Sequence, residues 1–408
     1  MPTTAETLPQ TSDEWHTIAK QRGLQSESIH GEQVYRAYKS ASAIEFEQFL
    51  LLRVIYYSTE HPDQVYHAQH RATWLRSDAF DAAAASLKAR QEWKLYLNSI
   101  LPVQQQQTTQ AGLSSLGLFA LVRYYQLATE KEHEEQNDLS QPKIDFSPVA
   151  GRTRSRQAAS DWPSGPPETP TRSPRGEQGE LEVLLQELGL DSPSESSPEP
   201  STPEIPETLS PANPSDPDWI EAAEFKAAND EQIVNTALLL YLNALSIACS
   251  QVQGDWTLHR RQFVLKSNGK KVYEARVDGY LCSRDNEVKA IVEVKPFARF
   301  RNTRRIKMQE AAQMAAWIGV DPPDIRIMRK EKKTCRRLLV SQNRHEIYVT
   351  IAEFDADYID YICGRRPTNH SFLYMQDYGP FRTDNRNHMS AFGHLILAFT
   401  IDESIAER

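Results

Sequence analysis

The chain has 408 residues, 39% of them hydrophobic, with a mean hydropathy of −0.59 and a formal net charge of −9. That length gives room for two domains, while the low apolar content means that part of the chain does not pack. Four cysteines, Cys249, Cys282, Cys335 and Cys363, have no Cys-x-x-Cys spacing; this excludes a disulfide framework and fits a reducing compartment.

Residues 1–12 are polar and read as loose. From about Asp13 to His133 the pattern is helical, and Ile44 to Tyr57 places apolar residues at one-face spacing. Asp78 suits an N-cap for an alanine-rich helix reaching Leu97, and Pro102 stops it. The glutamine run 104–107 is a connector, and Leu113 to Ala128 resumes as a helix. His61, His67 and His70 lie close in sequence but without metal-ligand spacing. Residues 1–136 therefore read as a helical region, suited to binding a protein partner.

Residues 137–217 hold 15 of the 24 prolines, with many Ser, Thr and Glu. Such a composition cannot offset ordering entropy, so a disordered linker is expected. It carries a small basic cluster (Arg152, Arg154, Arg156), several Ser-Pro and Thr-Pro dipeptides, and an apolar stripe from Glu180 to Leu190.

The domain expected at 218–408 opens with a long helix, about Ala222 to Ser250. Strands follow near Leu258–Lys266, Val272–Cys282 and Lys289–Lys295, with Asn268-Gly269 as a tight turn. Arg299, Arg301, Arg304, Arg305 and Lys307 lead into a helix that Gly319 and Pro322 end. Strands at Arg336–Val340, Glu346–Phe354 and Phe372–Tyr378 and a helix from Met389 to Ile401 complete it. The resulting class is α/β, a central mixed sheet flanked by helices. Residues 255–345 contain 22 Lys and Arg against 10 Asp and Glu, a local excess of +12, which leaves −21 for the rest. A basic segment of this kind is the footprint of a polyanion binder, and the cations before the helix read as phosphate contacts.

Strand alternation puts Glu293 and Lys295 on one face and Val292 and Val294 on the other. Pairing with the preceding strand would bring Asp278 beside Glu293. Two carboxylates are hard ligands for Mg²⁺ or Mn²⁺, and an adjacent ammonium can orient water or stabilise charge developing on a phosphate. The chemistry implied is metal-dependent phosphodiester hydrolysis, with a catalytically inactive nucleic-acid-binding or scaffold module as the alternative.

Asp278, then Glu293-Val294-Lys295, in strand–strand–helix order, resemble the PD-(D/E)XK nuclease superfamily, in particular nuclease-like domains of fungal proteins. Gln313-Met-Ala-Ala-Trp317 is similar to the Gln-x-x-x-Tyr element of its RecB-type members, with Trp for Tyr, and Gln309 lies one turn earlier. Val277 stands where the superfamily's name has proline. The resemblance spans about Trp219 to Thr400. It implies a restriction-endonuclease-like core, Asp278 and Glu293 as metal ligands with Glu231 joining them (Glu224 second), catalysis by Lys295 and Gln313, and nucleic acid, most simply DNA, as partner. Gln309, Arg301, Arg304, Arg305 and Lys307 would touch the nucleic acid. The N-terminus lacks a basic region followed by an apolar run, and the stretches 113–122 and 233–248 are too short or interrupted to span a bilayer. The expectation is an intracellular protein of nucleus or cytoplasm, neither secreted nor membrane-bound.

Overall fold

A computed structural model describes residues 7–31, 38–64, 75–100, 110–131, 217–365 and 371–406. The chain divides into two units, Met1–Asn137 joined with Pro217–Arg408, and Asp138–Asp216. The second unit, with the expected linker motifs, lies outside the described residues.

The first unit is built on a seven-stranded mixed sheet. Its strands are β1 (Val54–Tyr56), β2 (Asp255–Thr257), β5 (Gly279–Cys282), β6 (Val288–Lys295), β7 (Cys335–Asn343), β8 (Glu346–Phe354) and β9 (Leu373–Arg382), in the order β1-β9-β8-β7-β6-β5-β2. β6 and β7 run parallel, as do β1 and β9, and the other neighbours are antiparallel. A separate hairpin pairs β3 (Arg261–Ser267) with β4 (Lys270–Val277) through the Asn268-Gly269 turn, both residues at positive φ.

Alternation along the central strands makes two cores. On one face Val292 and Val340 pack with Leu239 and Leu242 of α6 (Pro217–Ser246) and with Phe392 and Ile396 of α10 (Arg386–Ala406). Helices α3 (Ser77–Ala89), α4 (Gln91–Ser99) and α5 (Phe119–Lys131) extend this layer. On the other face Ile291 and Leu339 pack with Met314 and Trp317 of α7 (Thr303–Val320). The hairpin covers α7 from outside, where the Tyr273 hydroxyl donates to the Ala312 carbonyl (2.8 Å). The short helices α1 (Ser12–Gln21), α2 (Phe46–Leu51), α8 (Ile325–Glu331) and α9 (Ala356–Ile362) close the layer. Every residue of α7 from Ile306 to Ile318 is buried.

Three expectations are corrected. The N-terminal region does not stand apart: β1 adds a strand beside β9, Trp15 of α1 packs edge-on to Phe372, and α5 lies along α6. The stretch read as one helix over 44–57 stops at Leu51; Arg53 turns at φ 53°, and Val54–Tyr56 become a strand. Residues 49–56 are buried throughout, so no exposed face marks a helical period, and the β-branched pair Val54-Ile55 follows its distant partner. The alanine-rich helix also breaks, at Arg90, and Asp78 sits inside its first turn paired with Arg76. Among the described residues no helix is long and apolar enough to cross a membrane.

Residues 217–408 alone would expose the β9 edge and the faces of α6 and α10 that the N-terminal elements cover. A chain in which a short Gly/Ser linker replaces 138–216 should unfold in one cooperative calorimetric transition, whereas 217–408 alone should show none. A sharp transition in the isolated segment would contradict this packing.

Candidate active site

The site forms where the expected strand 272–282 breaks. β4 ends at Val277 in the hairpin, β5 begins at Gly279 in the main sheet, and Asp278 is the joint. Its N–H donates to the Val292 carbonyl (2.9 Å), and its Oδ2 accepts the Val294 N–H (3.1 Å), so Asp278 is locked to β6 by backbone and side chain. Asn235 of α6 donates to the Asp278 carbonyl (3.2 Å). Only glycine fits at 279, since a Cβ there would lie 2.7 Å from the Thr257 carbonyl oxygen and 3.0 Å from Leu239.

β6 turns Glu293 and Lys295 toward α7, as alternation requires. Glu293 is 2% exposed, and three side chains donate to it. Lys295 Nζ and Gln309 Nε2 share Oε1, and Gln313 Nε2 reaches Oε2 while also donating to the Arg276 carbonyl (2.8 Å). Gln309 and Gln313 are one turn apart on α7 and so present two neutral donors to one carboxylate. Lys295 Nζ also donates to the Val294 carbonyl (3.1 Å).

Burial pushes the Glu293 carboxyl well above the usual carboxylate range against the pull of the Lys295 ammonium, and the Asp278 charge adds to the rise. For Lys295, burial works downward, but the Glu293 carboxylate reverses it, with Glu231 and Asp278 adding to the effect, so the ammonium is held charged. Glu231 of α6 is raised by burial and by Asp278. It joins the group through Arg260, whose guanidinium lies 3.6 Å from Glu231 Oε1 and 3.5 Å from Asp278 Oδ1.

Asp278, Glu293, Lys295, Gln309 and Gln313 thus converge, with Glu231 at their margin; the side chain of Glu224 lies outside the described ones. Two of the cations expected at a phosphate surface, Arg299 and Lys307, are inside the protein. Arg299 is 3% exposed, with its guanidinium on Glu310, Asp377 (3.0 Å), Asn343 (3.0 Å) and Ser341 (3.2 Å), over the Tyr348 ring. Lys307 is buried too, donating to Asp377 (3.2 Å) and Thr59 (3.1 Å). Gln309 is spent on Glu293. Arg304 stacks over Phe46 at 4.4 Å, Arg305 donates to the Ser42 carbonyl (3.3 Å), and Arg301 is exposed. Arg299, just before α7, and Lys307, within it, turn inward because Glu310 and Asp377 are buried there and need cations.

Trp317 is likewise core, with Arg337 over its ring at 4.0 Å and Phe263 beside it. His388 Nδ1 accepts the Arg382 N–H (3.2 Å), which ties the start of α10 to the end of β9, and His61 meets Asp63 and the His388 ring. His67 and His70 lie outside the described residues. Sequence reasoning missed Arg260, whose only signal was its place at the mouth of the hairpin that ends at Asp278.

Among the described residues no group of three or more His, Cys, Asp or Glu is arranged to hold a metal ion. The nearest donor set is Asp278, Glu293 and the Val294 carbonyl, all hard oxygens. Gln313 Oε1 is buried beside them without a hydrogen-bond partner. No family model, curated protein or solved structure matches this chain.

Lys295→Met strands a buried carboxylate and should cost about 3 kcal/mol. In that variant Glu293 titrates in the folded state above its unfolded value of about 4.3. Its contribution is then fully present in acid and lost as pH rises through the higher folded value, so melting temperature should fall between pH 5 and pH 8. Adding Glu293→Gln should flatten that slope, as read by thermal melts across pH.

Proposed function

We propose that this chain is a metal-dependent nuclease with a restriction-endonuclease-like core of the PD-(D/E)XK type, hydrolysing phosphodiester bonds, most simply in DNA. The observation that carries this is the convergence of Asp278, Glu293 and Lys295 at one strand break, with Gln309 and Gln313 donating to the same carboxylate. The order α6, β2, β5, β6, α7, then β7 parallel to β6, also supports the reading.

The donor set suits Mg²⁺ or Mn²⁺, which bind through one or two carboxylates and keep waters. Asp278, Glu293 and the Val294 carbonyl would hold the ion, and the unpartnered Gln313 Oε1 adds a polar atom of the right kind. When bound, such an ion supplies Lewis acidity toward a phosphate oxygen. The protein's own share is positional. Lys295, held protonated, is a donor rather than a base: it orients an attacking water and offsets charge developing on the phosphate. Gln309 and Gln313 fix the Glu293 carboxylate without adding a charge that would oppose a cation.

A second reading is favoured by one observation. Both Glu293 oxygens already accept hydrogen bonds, and the Val294 carbonyl takes the lysine, so the candidate ligands are satisfied within the protein. A non-catalytic nucleic-acid-binding or scaffold module would look the same.

The test uses the full chain, because the sheet includes N-terminal residues. DNA should be cleaved with Mg²⁺ or Mn²⁺ and not in chelator. Lys295→Ala, assayed below its melting transition, should lose about a hundredfold or more in rate while keeping DNA binding in a gel-shift assay. Equal cleavage by that variant removes the assignment, and calorimetry showing no Mn²⁺ binding dependent on Asp278 and Glu293 selects the scaffold.

A further inference from the structure

The β3–β4 ladder ends with Arg261 opposite Val277, so the next antiparallel step sets Arg260 opposite Asp278. Arg260 is therefore delivered by a hairpin, not by a free loop. It faces two acids from different elements, Glu231 on α6 and Asp278 at the strand break. At 3.6 Å and 3.5 Å the guanidinium neutralises both acids but grips neither in a close bidentate bond. Its side chain is 54% exposed, so it can leave toward solvent at little cost, whereas Asp278 is fixed by its bond from Val294.

The charges around Arg260 give this placement meaning. Glu231, Asp278 and Glu293 face Arg260 and Lys295, three acids against two cations. Lys295 is committed to Glu293 and the Val294 carbonyl. Burial and the neighbouring Asp278 raise the cost of ionising Glu231, and among the described residues Arg260 is the cation that forms an ion pair with either acid. A divalent ion arriving at Asp278 would meet the guanidinium as a like charge a few ångströms away.

We propose that Arg260 is a resident placeholder cation: it neutralises Glu231 and Asp278 in the metal-free protein and competes with a divalent ion for them. This rests on the nuclease reading above. Metal affinity is thereby set below what the carboxylates alone would give, and an occupied site releases a guanidinium at its mouth.

The experiment is Mn²⁺ titration of the full chain, followed by electron paramagnetic resonance of the free ion, for wild type, Arg260→Gln, Arg260→Lys and Asp278→Asn. Arg260→Gln should bind Mn²⁺ about fivefold to tenfold more tightly than wild type, with the difference shrinking as salt rises. Arg260→Lys, which keeps the charge, should stay near wild type, and Asp278→Asn should lose binding. Unchanged or weaker binding by Arg260→Gln overturns the placeholder role, and the nuclease reading then stands as long as Asp278→Asn still abolishes binding. No Mn²⁺ bound by wild type or by Arg260→Gln overturns both. Equal gains in the Gln and Lys variants also overturn the proposal, since they would trace to side-chain shape and not to charge.

Discussion

The rotation of α7 about its own axis governs the candidate site, and a buried charge cluster sets that rotation. Arg299 joins Glu310 of α7 to Asp377 of β9, Lys307 reaches the same aspartate, and the Tyr56 hydroxyl donates to Glu310 (2.9 Å). All of these side chains are buried, so each partner lost would leave a charge uncompensated in a medium that cannot hydrate it. With Lys307 and Glu310 pinned toward β9 and β1, the adjoining Gln309 and the next-turn Gln313 have one direction left, toward Glu293. The remaining contacts of the helix are apolar and do little to choose its angle. The ionic cluster therefore works as an indexing device, and the Glu293 environment is its output.

This division also explains the chemistry of the donors on each side. Where α7 meets β9, full charges compensate one another and the net is close to zero. Where it meets β6, the helix offers only amides. A guanidinium at 309 or 313 would hold Glu293 more firmly, but it would also repel a divalent ion. Neutral donors orient the carboxylate and leave its charge for the lysine beside it.

The acid, acid and lysine set was legible because strand alternation is a strict rule and the residues are close in sequence. Gln309 and Gln313 were legible as a pair one turn apart. What could not be read was the helix's rotation, since Ile306 to Ile318 is buried on every side and has no exposed face. The cations at 299–307 were for that reason read as surface, although Arg299 and Lys307 have their partner at Asp377, some 70 residues on. The strand Val54–Tyr56 was hidden in the same way, since it pairs with β9 far along the chain. Asp278 was expected within a single strand. In the structure it is where one sheet hands over to another, and this brings Arg260 to it.

The pairing of β1 with β9 has a consequence for synthesis. Gln376 donates to the Ser58 carbonyl 318 residues earlier, and the Tyr358 hydroxyl reaches the Leu52 carbonyl across 306. A nascent chain leaving the ribosome therefore exposes the apolar run 49–56 long before the strand that shelters it exists. Closing so distant a contact is slow, and the waiting segment is sticky. Productive folding of this protein should depend on chaperone capacity during translation, and any device that delays the C-terminal third should lower its yield before it touches its chemistry.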